Sequence, residues 1–249
     1  EFYSDANKVF ADVERVGLCV NPLRVPAGQS DNVSKDHLMF TNYNVLTPTG
    51  RPSNTYDGLN FAAMNKSDGS RKMIESRYDE LIEFDFDAYH VRLIGKIIGY
   101  DFGAESVHEH FSKLYNVSYE ESKTMTFKYL YGGVPDDIAK THEFFGKVKK
   151  YYTNLWSRFK RDKVLVTDIY KRRITLDVKD FYPSKLFNYM IQSLETERNI
   201  LVLKHYDSFL FDYNKNDGDK FVEIVQKELQ QDGFPVKMKR GKNYDELIW

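Results

Sequence analysis

The sequence predicts an α+β fold, an antiparallel sheet interrupted by a helical insertion. Three stretches predict it. Residues 83–87 alternate, with Phe84 and Phe86 on one face and Asp85 and Asp87 on the other, as a half-buried strand requires. From Tyr89 the apolar positions take helical spacing (Val91, Ile94, Ile97, Ile98), so this strand feeds a helix. Far downstream, two apolar runs, Ile200–Leu203 and Phe209–Phe211, flank a polar tip at 205–208. They read as a hairpin with Asp207 at its turn.

Between the two carboxylates lies residues 118–133, a helix with a start and a stop. Ser118 and Glu121 have capping-box spacing, and Gly132, Gly133 and Pro135 end it. Lys123, Phe127 and Tyr131 fall at i, i+4 and i+8, on one face. A cation and two rings on one face suit a triphosphate joined to a flat base. An ordinary amphipathic helix with Phe127 and Tyr131 in the core has the same spacing. Likewise Asp85 alone reads equally as a solvated strand end, and Asp207 as a turn residue.

The ordered set of these segments resembles the C-terminal catalytic region of a family A DNA polymerase. Asp85 and Arg92 match the family's first motif, an Asp followed seven residues later by an Arg. Lys123, Phe127, Tyr131 and Gly132 match its second, and Tyr206-Asp207-Ser208 matches its His-Asp-Glu hairpin in part. Thr47 to Asn54 with Asn60-Phe61-Ala62, Asn188 to Gln192 and Gly241 to Asp245 are similar to three further family segments in the same order. The resemblance spans residues 40–249.

The resemblance implies a right-hand polymerase fold. The expected palm is an antiparallel sheet over 38–105 and 175–249, carrying Asp85 and Asp207, and the expected fingers are a helical insertion over 106–174. Residues 1–37 would be an N-terminal helix and a remnant thumb or linker. Asp85 and Asp207 become the ligands of two Mg²⁺ ions, with Mn²⁺ as a substitute, for metal-assisted phosphoryl transfer. Lys123 becomes both catalytic and nucleotide-binding, with Phe127, Tyr131, His90 and Tyr119 around the nucleotide. Arg51, Arg92, Asn188, Gln192 and Tyr206 become contacts to DNA.

Several positions depart from the family pattern. His90 stands where the family has a Glu that crowds the sugar 2′ position, and a helix-face histidine satisfied by a neighbour is the alternative reading. Tyr206 and Ser208 replace His and Glu of the third motif. Tyr119 stands where an Arg would meet the triphosphate, offering a hydroxyl and no charge.

The remaining elements follow in chain order. Val9, Phe10, Val13 and Val16 make a helical stripe that Gly17 stops, and a short strand follows. Residues 21–36 read as loop, 38–46 as a strand, and 49–51 as a turn presenting Arg51. The roughly 30 residues between Gly17 and Gly50 are too few for a pair of long thumb helices at about 1.5 Å per residue. Residues 147–173 hold ten Lys and Arg against two Asp, a local net of +8 in a chain whose total is −1. With Tyr151, Tyr152, Trp156 and Phe159 interleaved, this stretch suits phosphate contacts and stacking on template bases, with Lys171, Arg172 and Arg173 at its end. Residues 173–178 read as a strand, 181–197 as a helix bearing Asn188 and Gln192 on one face, and 221–231 as an amphipathic helix.

Composition narrows the class. The chain has 249 residues and 15% aromatics, enough for a large core or an aromatic-lined groove. A single cysteine, Cys19, excludes an internal disulfide and fits a reducing, cytoplasmic setting. No stretch is long and apolar enough for a membrane span. The expected partners are primer–template DNA and deoxynucleoside triphosphates, with a second chain as a source of the thumb, exonuclease or processivity function. The pared-down architecture is that expected of a phage-type enzyme acting in the host cytoplasm. The expected activity is template-directed DNA synthesis. A catalytically weak primer–template-binding subunit is the alternative, and a ribonucleotide-using relative a third reading raised by His90.

Overall fold

The structure, a computed structural model, describes residues 1–54, 61, 64–65, 68–103, 105–203, 210–230 and 233–247, without the side chains of 201–203. Tyr206, Asp207 and Ser208 lie outside the described residues, as do Asn60 and Ala62. Two compact units form: residues 1–47, 52–86 and 199–249, and residues 48–51 and 87–198.

The first unit begins with α1 (Phe2–Val16), which buries Phe2, Ala6 and Val9. Gly17 ends it at φ 66°, a left-handed turn that residues with a Cβ rarely adopt. Strand β1 (Leu18–Cys19) then pairs antiparallel with β2 (Leu38–Met39), and β3 (Tyr43–Asn44) with β4 (Ser53–Asn54). The single strand expected over 38–46 is therefore two short pieces in separate ladders. The Tyr43 amide donates to the Glu14 carboxylate at 2.5 Å, which supplies from α1 a partner that a continuous strand would have supplied.

The main sheet is wholly antiparallel, in the order β8 (Leu210–Tyr213), β5 (Glu80–Phe86), β9 (Val236–Gly241). Central β5 pairs with both β8 and β9. Its alternation sorts two cores. Leu81 packs with Val20, Met39, Met73 and Ile74. Ile82 and Phe84 pack with Val222, Val225 and Leu229 of α8 (Asp219–Leu229). Asp85, beyond these cores, is exposed.

The second unit contains α2 (Tyr89–Ile98), α3 (Val107–Tyr115), α4 (Tyr119–Gly132), α5 (Asp136–Thr141), α6 (Glu143–Asp162) and most of α7 (Pro183–Leu203). A hairpin of β6 (Val164–Val166) and β7 (Arg173–Thr175) follows α6. The core is aromatic, built on Phe102, Phe111, Phe144, Phe145, Tyr152 and Phe187. Val91 and Ile94 of α2 and Phe187 and Ile191 of α7 belong to it. Those four residues explain why the units divide after Phe86 and after Arg198, where the sequence reading divides after 105 and 174.

Two expectations need correction. The run Ile200–Leu203, read as a hairpin strand, is the last turn of α7. A short apolar run fits either period, and here it continues the helical stripe Phe187, Met190, Ile191 and Leu194. The strand expected over 173–178 stops at Thr175, where its partner β6 ends; the Asp177 side chain then accepts from the Lys179 amide to start a 3₁₀ turn.

Candidate active site

In the first unit the site is centred on Asp85. Strand register sets Glu83 opposite Lys239 and Asp85 opposite Lys237 on β9. Lys239 Nζ donates to Glu83 Oε2 at 3.1 Å and to Asp85 Oδ2 at 3.3 Å, while the Asp85 side chain stays 51% exposed. Burial pushes the Tyr244 hydroxyl above its ordinary pKa, and the Glu83 carboxylate adds to the rise. Asp85 is thus an accessible hard-oxygen donor, the type Mg²⁺ takes, with a lysine beside it. Among the described residues no group of three or more His, Cys, Asp or Glu could hold a metal ion. Lys239→Ala is expected to tighten Mn²⁺ binding by about fivefold, because about 1 kcal/mol of local repulsion is removed. Mn²⁺ titration followed by electron paramagnetic resonance measures it, and unchanged affinity would show that Lys239 does not oppose the metal.

The same unit has an apolar cleft of about 630 Å³ lined in part by Val13, Cys19, Met39, Leu81 and Phe221. Of its two carboxylates, Asp212 accepts from Ser76 Oγ and from the Arg77 and Tyr78 amides, and Glu75 Oε1 accepts from Asn21 Nδ2 at 3.0 Å.

In the second unit α4 forms as its sequence requires. Ser118 Oγ accepts from the Glu121 amide at 3.3 Å, and the Ser118 amide donates to Glu121 Oε2 at 3.0 Å. Ser122, Thr126 and Leu130 turn into the core. Lys123 is exposed, and Phe127 and Tyr131 are half-buried with their rings parallel, 5.8 Å apart. The Lys-Phe-Tyr face is consequently a semi-exposed platform, not core.

Two histidines join that platform. His108 of α3, buried, sets its ring 5.5 Å from Tyr119 and 5.9 Å from Phe127. Sequence reasoning missed it, because only folding brings α3 against α4. The Tyr119 hydroxyl is pushed above its ordinary pKa by burial and by the Asp87 charge. His90 of α2 places Nδ1 2.5 Å from Tyr131 Oη, and Nε2 2.9 Å from Glu195 Oε2 of α7. Burial, with Glu195 adding to it and Arg51 opposing, pushes the Tyr131 hydroxyl up to about 12.

The arginines separate into inward and outward sets. Arg51 is exposed just after the turn at Pro48 and Thr49 and next to Gly50 (φ 76°). Arg92, expected at DNA, is buried. It donates to Asp87 Oδ2 at 2.9 Å and to the carbonyls of Asp87, Gly103 and Glu105. Asp87 is thereby the partner of Arg92, not an exposed neighbour of Asp85. Arg172, also expected at DNA, is committed inward. Its Nε donates to buried Glu197 at 2.7 Å, and its Nη2 to the Thr49 carbonyl at 2.9 Å. It holds the turn that carries Arg51. Lys171 and Arg173, on either side, are exposed. Asn188 and Gln192 share a half-buried face of α7, where Asn188 Oδ1 makes no hydrogen bond among the described residues. The expected roles of Tyr206 and Asp207 fall outside the described residues.

An antiparallel three-stranded sheet carrying Asp85 and a helical unit carrying the Lys123-Phe127-Tyr131 face make this an α+β fold. In particular, the chain has the fold of the polymerase domain of Pol1 from M. smegmatis, solved in complex with DNA primer-template and dNTP. The TM-score is 0.71 at 17% identity over 88% of this chain. The match covers 50% of that protein's chain, so this chain spans half its length. No family model and no curated protein matches the sequence.

Proposed function

We propose that the protein is a template-directed DNA polymerase of the family A type. The observation that carries this reading is the fold shared with a polymerase domain bound to primer-template and dNTP, joined to the ordered motifs. Asp85 and Asp207 would hold Mg²⁺. The bound metal would lower the pKa of the primer 3′ hydroxyl and neutralise charge on the transferring phosphate.

The chain's own residues do the rest. Lys123 meets the triphosphate from the exposed side of α4, and Tyr119, held by the His108 ring, offers a hydroxyl donor on the same face. The parallel rings of Phe127 and Tyr131 give the base a stacking surface. His90 stands against Tyr131, where it would meet the sugar. Arg51 reaches the primer end from a turn fixed by Arg172, while Lys171 and Arg173 face the template phosphates. Binding and orientation of this kind supply most of the rate in phosphoryl transfer.

One observation favours a second reading. The lysine beside Asp85, together with Ser208 in place of a third carboxylate, suits a primer–template-binding subunit with weak catalysis. Primer extension with deoxynucleotides and Mg²⁺, with Asp207→Ala run beside the parent, tests both. Template-directed extension that disappears in the variant supports the polymerase. Primer–template binding without extension in the parent supports the subunit.

A further inference from the structure

Glu195 lies outside every motif that suggests a function. It sits on α7, three residues beyond Gln192 and seven beyond Asn188, on the face those two share. All three elements that meet around His90 belong to the second unit: α2 brings His90, α4 brings Tyr131, and α7 brings Glu195. The His90 and Glu195 side chains are only 21% and 20% exposed. The His90 and Tyr131 rings meet edge to face, at 74° and 6.3 Å between centroids.

The proton positions follow from the neighbours and are assigned from them. A bare ring nitrogen 2.9 Å from a carboxylate oxygen would be repelled, so Nε2 carries a proton on the Glu195 side. That contact is electrostatic and off the hydrogen-bond axis, since neither Nε2 nor Oε2 makes a hydrogen bond among the described residues. Tyr131, held as a phenol by its burial, can then donate to Nδ1. Arg51 is the remaining charge that acts on Tyr131. With Glu195 absent, only the Tyr131 contact sets the tautomer, and because a phenol hydroxyl can also accept from Nδ1–H, the ring can turn or change tautomer.

We propose that Glu195 is a specificity-determining positioning residue: it fixes the orientation and Nε2 protonation of His90, and so the edge that His90 and Tyr131 present to the nucleotide sugar. This rests on the polymerase reading, because the ligand discriminated is the 2′ substituent of a nucleoside triphosphate. Glu195 acts through His90 and, by its charge, on Tyr131.

The test compares the parent with Glu195→Gln and Glu195→Asp. Steady-state kcat and KM are measured for a matched deoxynucleotide and its ribonucleotide, and unfolding midpoints are recorded for all three proteins. Glu195→Gln is expected to lower the deoxy-to-ribo preference in kcat/KM by about tenfold, through the ribonucleotide KM, with Glu195→Asp in between. A general structural role would lower both substrates equally and leave the ratio unchanged, which would overturn the proposal. Nitrogen-15 spectra of the histidine side chains, with His90→Asn to assign the signal, provide a readout without turnover. A protonated Nε2 in the parent that is lost or exchanging in Glu195→Gln is the expected result. Identical spectra would overturn the proposal even in a parent that incorporates no nucleotide, the outcome that defeats the polymerase reading itself.

Discussion

Asp85→Ala is expected to abolish primer extension while leaving the fold and primer–template binding intact. The side chain is 51% exposed and shares its lysine with Glu83, so little of the sheet depends on it. Its loss removes a proposed oxygen ligand from the point where charge develops in phosphoryl transfer. A metal's stabilisation there is several kcal/mol, and about 4 kcal/mol is on the order of a 10³-fold loss in kcat. Single-turnover extension with saturating DNA measures it, and gel-shift binding of the same primer–template is the control. Extension within tenfold of the parent would remove Asp85 from the metal site and with it the first motif's assignment.

Arg92→Ala is expected to be the most damaging change to stability. Arg92 donates to one carboxylate and three carbonyls inside the second unit, and its side chain and that of Asp87 are each 6% exposed. Truncation leaves Asp87 as a buried carboxylate without its guanidinium, with the Val107 amide at 3.4 Å among its donors. Breaking a buried pair in this way costs about 3–5 kcal/mol, a large part of a domain's net stability. Urea unfolding followed by circular dichroism should show the midpoint fall with the slope unchanged. Arg92→Lys should recover little, since an ammonium cannot reach four acceptors with the geometry of a guanidinium fork. Double replacement of Asp87 and Arg92 by an apolar pair should cost less than Arg92→Ala alone.

Much of the fold was legible because local chemistry and global structure agree. The stop at Gly17, the capping box at Ser118 and Glu121, and the period change between Phe86 and Tyr89 are each decided within a few residues. The expected antiparallel sheet is present with Asp85 on its central strand. Where the reading failed, the deciding partner was remote. The strand over 38–46 is broken where the Glu14 side chain takes the Tyr43 amide. The run at 200–203 is apolar in a way that suits strand or helix, and it continues α7.

The site divides in the same manner. Sequence alone determined which residue types could serve a nucleotide: the Lys-Phe-Tyr spacing on one helix face and an aspartate at the end of an alternating strand. Those are properties of 3.6- and 2-residue periods, which hold before any tertiary contact. Tertiary structure decided which cations remain available. Arg92 and Arg172 are indistinguishable in sequence from Lys171 and Arg173, yet they are spent on Asp87 and Glu197 inside the second unit. It also decided that His108 lies beside Tyr119, that Lys239 lies against Asp85, and that Glu195 faces His90. No short-range pattern encodes these meetings, because each joins residues at least 11 apart whose proximity is set by how helices and strands pack.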